Sequence, residues 1–186
     1  MRRLRETFGG AVQESSLQEL VADDAGCSFA TWADTFCVIQ WAEIESCLGE
    51  WIANARPEFG REIAASFQLV NELDRRRIAE AMRRREQYFR SLLEFLGPDD
   101  LLCIPTTPAL APRKGDPPKR SSSGSGYYPR TLGLTSIAGI GRLPQVSLPM
   151  ADADGAPVGL SLLARHGQDS FLLQVAKSIG RESGLR

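Results

Sequence analysis

The single histidine, His166 in Ala164-Arg-His-Gly-Gln-Asp169, is the residue that any Ser–His–Asp or Cys–His relay in this chain would have to use. Its position three residues before Asp169 leaves such a relay open, and a plain polar loop residue is the competing role. One histidine excludes a His-rich metal site. Ser121-Ser-Ser-Gly-Ser-Gly126 has the composition of a phosphate loop or a serine nucleophile segment. It lacks the Lys-Ser/Thr pair of a P-loop, follows no apolar strand, and lacks the G-x-S-x-G elbow. Its composition reads as a flexible linker. Asp152-Ala-Asp-Gly155 opens like a calcium loop without the third acid or the downstream Glu, and reads as a hairpin turn. Asp99-Asp100 after Gly97-Pro98 read as turn formers rather than an acid/base pair.

Two arginine runs, Arg75-Arg-Arg77 and Arg83-Arg-Arg85, raise nucleic-acid binding. Glu72, Glu80 and Glu86 each stand four residues before an arginine, the orientation that supports a solvated helix and cancels much of the local field. The net charge of -1 adds no global attraction to nucleic acid or anionic membrane. No apolar run reaches the ~20 residues of a membrane span, and the basic start carries no signal-peptide segment. The chain is therefore expected to be cytoplasmic, with its cysteines at 27, 37, 47 and 103 free and largely buried. Cys37 and Cys47 lie about 280° apart around a helix and cannot pair.

These groups must be positioned by helices in the first half and strands in the second. Residues 1–28 suggest either a short helix with loose flanks or the stump of an element whose first part is missing. The pair Thr31 and Asp34 predicts a helix start with Thr31 as cap, and apolar residues from Phe36 to Ile52 predict a helix over 32–54 that Pro57 stops. A long helical pattern covers 61–96. Leu101–Ile104 reads as a buried strand, 109–130 as a Pro-, Gly- and Ser-rich loop, 131–140 as a helix closed by Gly141. Strands are expected over 145–150 and 158–164, paired antiparallel through the Asp152–Gly155 turn. A last helix starts at Asp169 and ends at Gly180.

Three segments in this second half together resemble the C-terminal half of the amidase signature family. They are Asp100-Leu-Leu-Cys-Ile-Pro-Thr-Thr-Pro108 with Ala111-Pro112 after it, Gly141-Arg-Leu-Pro-Gln-Val-Ser-Leu-Pro149, and Gly155-Ala-Pro-Val-Gly-Leu-Ser-Leu-Leu-Ala-Arg165 followed by Asp169 and Leu172-Leu173. The arginine-rich helix leading into the first segment also looks like the family, and before about residue 30 the resemblance fades. It implies an α/β fold: the C-terminal part of an α/β/α sandwich with a mixed sheet, preceded by a helical segment. Residues 1–186 then form one partial domain, mainly helical over 1–97.

The resemblance further implies hydrolysis of carboxamide C–N bonds by a Ser, cis-Ser, Lys triad that needs neither metal nor cofactor. There the neutral lysine takes a proton through the bridging serine and backbone N–H groups hold the oxyanion. In the family both serines and the lysine lie upstream of the segments matched here. Lys114, Lys119, Lys177 and the serines at 121–125 do not occupy their places, so no catalytic residue carries over and the chain alone is expected to be inactive. Such a C-terminal half completes the sheet and walls the pocket. Thr106, Thr107, Tyr127, Tyr128 and Leu134 are the candidate lining residues, with packing and turn capping as their competing roles. The implied partners are a small-molecule amide, once an N-terminal half is present, and a complementing chain or a second copy. A non-catalytic interaction module on the same scaffold is the alternative.

Overall fold

In the computed structural model, residues 5, 9–21, 26–71, 73–113, 126–153 and 155–182 are described. The chain opens with a 3-10 turn at Gly9–Ala11 and a one-turn helix α1 (Leu17–Leu20). Ser16 starts α1 with a reciprocal capping box to Glu19, which satisfies two otherwise orphaned donors. Helix α2 spans Phe29–Ala55. Its cap is Ser28 rather than the expected Thr31: the Ser28 hydroxyl accepts from the Thr31 backbone N–H at 3.1 Å, and the two hydroxyls bond at 2.7 Å. Arg56, before Pro57, ends the helix in a left-handed conformation with φ 45°.

The pattern over 61–96 divides into α3 (Arg61–Asn71) and α4 (Arg75–Phe95). The break carries neither Gly nor Pro. Asp74 makes it, its carboxylate accepting from Arg76 N–H at 2.8 Å and starting a new helix. The arginines of α4 are largely engaged with acids. Arg84 meets Glu80 at 2.8 Å and Arg90 meets Glu86 at 3.4 Å, as the spacing predicts, while Arg77 and Arg85 cross to Asp34 and Glu43 of α2 at 2.8 and 3.8 Å. Glu72 lies outside the described residues.

Strand β1 (Leu101–Pro105) is followed by α5 (Tyr127–Gly141), β2 (Gln145–Ala153), β3 (Ala156–Ala164) and α6 (Asp169–Glu182). Helix α5 starts four residues earlier than predicted, because Pro129 falls in its first turn, where the missing N–H has no intrahelical partner to lose. Gly180 lies inside α6 rather than at its end. Strands β2 and β3 pair antiparallel as predicted, and Asp152 Oδ1 accepts from Gly155 N–H at 2.9 Å in the turn. Pro149 sits at the register shift between Leu148 and Ala151, a bulge on an edge strand where a missing donor is tolerated.

The strand order is β1-β3-β2, antiparallel throughout. The mixed character expected of the whole sheet is not reached by these three strands. Alternation along them sends side chains to two faces. On one face, Leu102, Ile104 and Leu163 pack with Trp32, Tyr88, Leu92, Ile137 and Ile140. The opposite face packs Leu162, Ala164 and Val146 against Leu172 and Ile179 of α6. This is the expected α/β/α layering. Trp32 and Tyr88 stack at 4.3 Å where α2 meets α4. At the α2–α5 crossing, a Cβ on Gly133 would lie 2.7 Å from the Phe29 carbonyl oxygen, so only glycine permits that approach. No helix among the described residues is long and apolar enough to cross a membrane.

Candidate functional site

The helix-facing surface of the sheet changes character along its length. Past Ile104 and Leu163 the inward positions become Thr106, Gly159, Ser161, Gln145 and Ser147. Ser147 and Ser161 stand directly opposite each other. Ala164 N–H donates to the Pro144 carbonyl at 3.2 Å, and by alternation the Ser147–Ser161 pair is the non-hydrogen-bonded kind that brings side chains closest. Their hydroxyls are 3.0 Å apart. Thr106 reaches Ser161 diagonally at 2.9 Å, and Gln145 Nε2 donates to Ser161 Oγ at 2.9 Å. A Cβ at Gly159 would fall 2.6 Å from Thr106 Oγ1, so this glycine makes room for the threonine.

Ser161 is fully buried, and three partners match its capacity of two acceptor sites and one proton. It accepts from Gln145, so of Thr106 and Ser147 one donates to it and the other accepts from it. Whichever accepts keeps its own O–H for a further partner. The cluster thus leaves one hydroxyl donor beside the Gln145 side-chain carbonyl oxygen, a pairing suited to the C=O and N–H of an amide. Among the described residues no titratable side chain is hydrogen-bonded to it, so neither serine has the adjacent base that activates a nucleophile.

Of the predicted lining residues, Thr106 joins this cluster. Thr107 donates to the Ala109 carbonyl at 2.9 Å in the following turn. Tyr127 is half-buried in the first turn of α5, its carbonyl accepting from Thr131 Oγ1 at 2.8 Å. Tyr128 is exposed, and Leu134 is buried on α5. Ser161 and Gln145 were not among the predicted residues, although Gln145-x-Ser147 and Gly159-x-Ser161 place polar or small residues at alternate positions of otherwise apolar strands. That period of two is the signal for them.

His166 is exposed and takes no part. Its Nδ1–H donates to the Arg142 carbonyl at 2.6 Å, and its ring meets Phe89 edge-on at 5.4 Å, with the Arg142 guanidinium 4.6 Å over the same ring. Asp100 holds the Gly97 N–H at 2.8 Å, as a turn former should. Residues 121–125, Lys114 and Lys119 lie outside the described residues. All four cysteines are free. Cys27 is buried, accepting from Trp32 Nε1 at 3.0 Å, whereas Cys47 is exposed, against the expectation of largely buried thiols. Burial pushes the Cys103 thiol up, and burial followed by the Asp34 charge does the same for Cys37.

A separate cavity of about 700 Å³ lies along the outer edge of β1 and is lined by Leu101–Ile104 with Phe95, Ile137 and Phe171 among others. None of the five predicted lining residues is in its wall.

The Amidase family model matches residues 15–173. Amidase 1 of Arabidopsis thaliana is 30% identical over 145 residues, covering 76% of this chain and 33% of that protein. A protein of Pisum sativum named translocon at the outer membrane of chloroplasts 64 is 30% identical over 141 residues, covering 76% of this chain and 23% of its own length. Among solved structures, an amidase superposes with a TM-score of 0.67 at 22% identity over 77% of this chain and 33% of its own. A 6-aminohexanoate cyclic dimer hydrolase gives 0.67 at 21% identity, over 95% and 38%. The chain spans about a third or less of the curated relatives named here. Fold, layer order and the match over residues 15–173 make this chain a member of the amidase family.

Proposed function

We propose that this chain is the C-terminal portion of a single amidase-signature hydrolase domain acting on carboxamide C–N bonds. It supplies sheet and pocket wall, and the catalytic Lys, Ser and cis-Ser come from a portion it does not contain. The observation that carries this reading is the Thr106–Gln145–Ser147–Ser161 network. It holds a donor and an acceptor suited to an amide, and among the described residues no group beside it activates a nucleophile. Ser161 is the hub, so its loss disturbs three partners at once.

The test is turnover of a panel of aryl, indolyl and short aliphatic carboxamides. The chain is assayed alone and with the remaining two thirds of the Arabidopsis relative supplied as a separate polypeptide. Alone it turns nothing over; combined it does, and Ser161→Ala lowers the combined kcat/KM roughly tenfold, the scale of one lost hydrogen bond. Turnover by the chain alone that disappears with Ser147→Ala would overturn the reading.

A second reading, a non-catalytic interaction module on the same scaffold, is favoured by the name of the Pisum sativum relative, a translocon component. It predicts association with a partner and no turnover in the combined assay.

A further inference from the structure

The hydroxyl network across the sheet has a direction. Gln145 Nε2 donates to Ser161 Oγ at 2.9 Å, which leaves that hydroxyl one acceptor site and one proton for Thr106 and Ser147. Thr106 is half-buried, and its Oγ1 has no other protein partner among the described residues. Ser147 is exposed. A hydroxyl proton without an acceptor costs more inside a protein than at its surface. The Thr106 proton therefore goes to Ser161, the Ser161 proton goes to Ser147, and the Ser147 O–H is the one that leaves the network.

Beside it stands a free acceptor. Gln145 Oε1 has no protein partner among the described residues. Nor is it one of the buried side-chain atoms left unpaired there, which comprise Arg85 Nε alone, so it reaches solvent. Gln145 and Ser147 are two residues apart on β2 and point to the same face. Each lies one hydrogen bond from Ser161 Oγ, at 2.9 and 3.0 Å, so one buried atom fixes both. Gln145 cannot turn its Nε2 outward while Ser161 holds it.

A donor and an acceptor side by side select the shape of an amide. In the trans arrangement of an ordinary secondary amide, C=O and N–H point to opposite edges, so such a ligand meets the donor or the acceptor but not both. Its cis form is disfavoured by roughly a hundredfold. A primary carboxamide carries one N–H on the same edge as its C=O, and so does a small-ring lactam, whose ring holds the amide cis. Esters and tertiary amides have no N–H to offer.

We propose that Gln145 and Ser147 are the specificity-determining pair of the pocket wall. They bind an amide whose C=O and N–H share one edge, a primary carboxamide or a small lactam: Ser147 O–H donates to its oxygen, and its N–H donates to Gln145 Oε1. Ser161 and Thr106 are positioning residues that hold the pair without touching the ligand. This rests on the amide-binding role proposed above and narrows it from carboxamides in general.

The test titrates the isotope-labelled full chain with water-soluble probes of similar size, namely propionamide, pyrrolidone, N-methylpropionamide and N,N-dimethylpropionamide, and follows the Gln145 side-chain and Ser147 amide resonances. Propionamide and pyrrolidone are expected to shift both with similar affinity. The other two bind at least about tenfold more weakly, having one hydrogen bond fewer. Ser147→Ala, at an exposed position, erases the preference for propionamide over N-methylpropionamide. Thr106→Val lowers that preference and Thr106→Ser restores it, which a purely structural role would not do. Equal affinity for propionamide and N-methylpropionamide, or failure of pyrrolidone where propionamide binds, overturns the shared edge. Absence of shifts at Gln145 and Ser147 with every probe overturns the site. The combined turnover assay scores the functional reading separately: the ranking without turnover keeps the pair and removes the hydrolase, and turnover without the ranking does the reverse.

Discussion

The two ends of the helix-facing sheet surface share the same three strands and the same alternation, yet they do different work. At one end Leu102, Ile104 and Leu163 pack with Tyr88, Leu92 and Ile137, the last four fully buried and the first two partly so. At the other, Thr106, Gln145, Ser147 and Ser161 hydrogen-bond across all three strands. Burial there grades from Ser161 at 0% exposure to an exposed Ser147. One end holds the layers together through apolar burial, which needs shape but no direction. Its neighbour is directional, since each hydrogen bond there needs a partner at a set distance and angle. One sheet face can thus carry a shape-driven apolar end and a directional polar end on the same strands.

The sharpest way to break this contrast is to cut into the apolar end. Leu163→Ala removes a fully buried side chain and is expected to destabilise by about 2–5 kcal/mol, read as a drop in the urea midpoint. Next comes the hub. Gly159→Ala drives a methyl into Thr106 at a cost of about 1–3 kcal/mol, and Ser161→Ala costs roughly 1–2 kcal/mol by removing the shared partner of three hydroxyl and amide groups. The exposed Ser147→Ala should stay within about 0.5 kcal/mol. Equal costs for Ser147 and Ser161 would mean that the polar end is simply more core.

The smallest effect is expected from the thiols. Cys103 and Cys37 have thiol pKa values raised above the unfolded value by burial. The folded state therefore favours the neutral thiol. That contribution is full below the unfolded thiol pKa and is lost as pH rises through the folded one. Stability should sag on the alkaline side, and Cys103→Ala should flatten that limb. In thiol titration with a coloured disulfide reagent, exposed Cys47 reacts first and Cys103 later.

Much of the layout was readable from local chemistry. Leu101–Ile104 is an apolar run cut off by proline, and the Asp152–Gly155 turn joins strands whose pairing two residues specify, an Asx acceptor and a glycine at φ 77°. Boundaries were less readable where two residues compete for one job, as Ser28 and Thr31 do at the head of α2. The break before Asp74 escaped because Glu72-Leu-Asp74 carries no Gly or Pro, and a single capping carboxylate there outweighed the continuing helical pattern. The polar cluster was half visible: Thr106 came from the family resemblance, whereas Ser161 and Gln145 required strand faces to be compared across 16 residues.

By itself the sequence determined which residues lie in strands, which side chains alternate to the same face, and that the chain carries amidase segments in order, since all three depend on near neighbours. Only the tertiary structure decided that β1 pairs with β3 rather than β2, that α5 packs over the apolar end of one sheet face, and that Leu101–Ile104 line a cavity. Those depend on contacts between segments some 60 residues apart in sequence, whose closure no local pattern encodes.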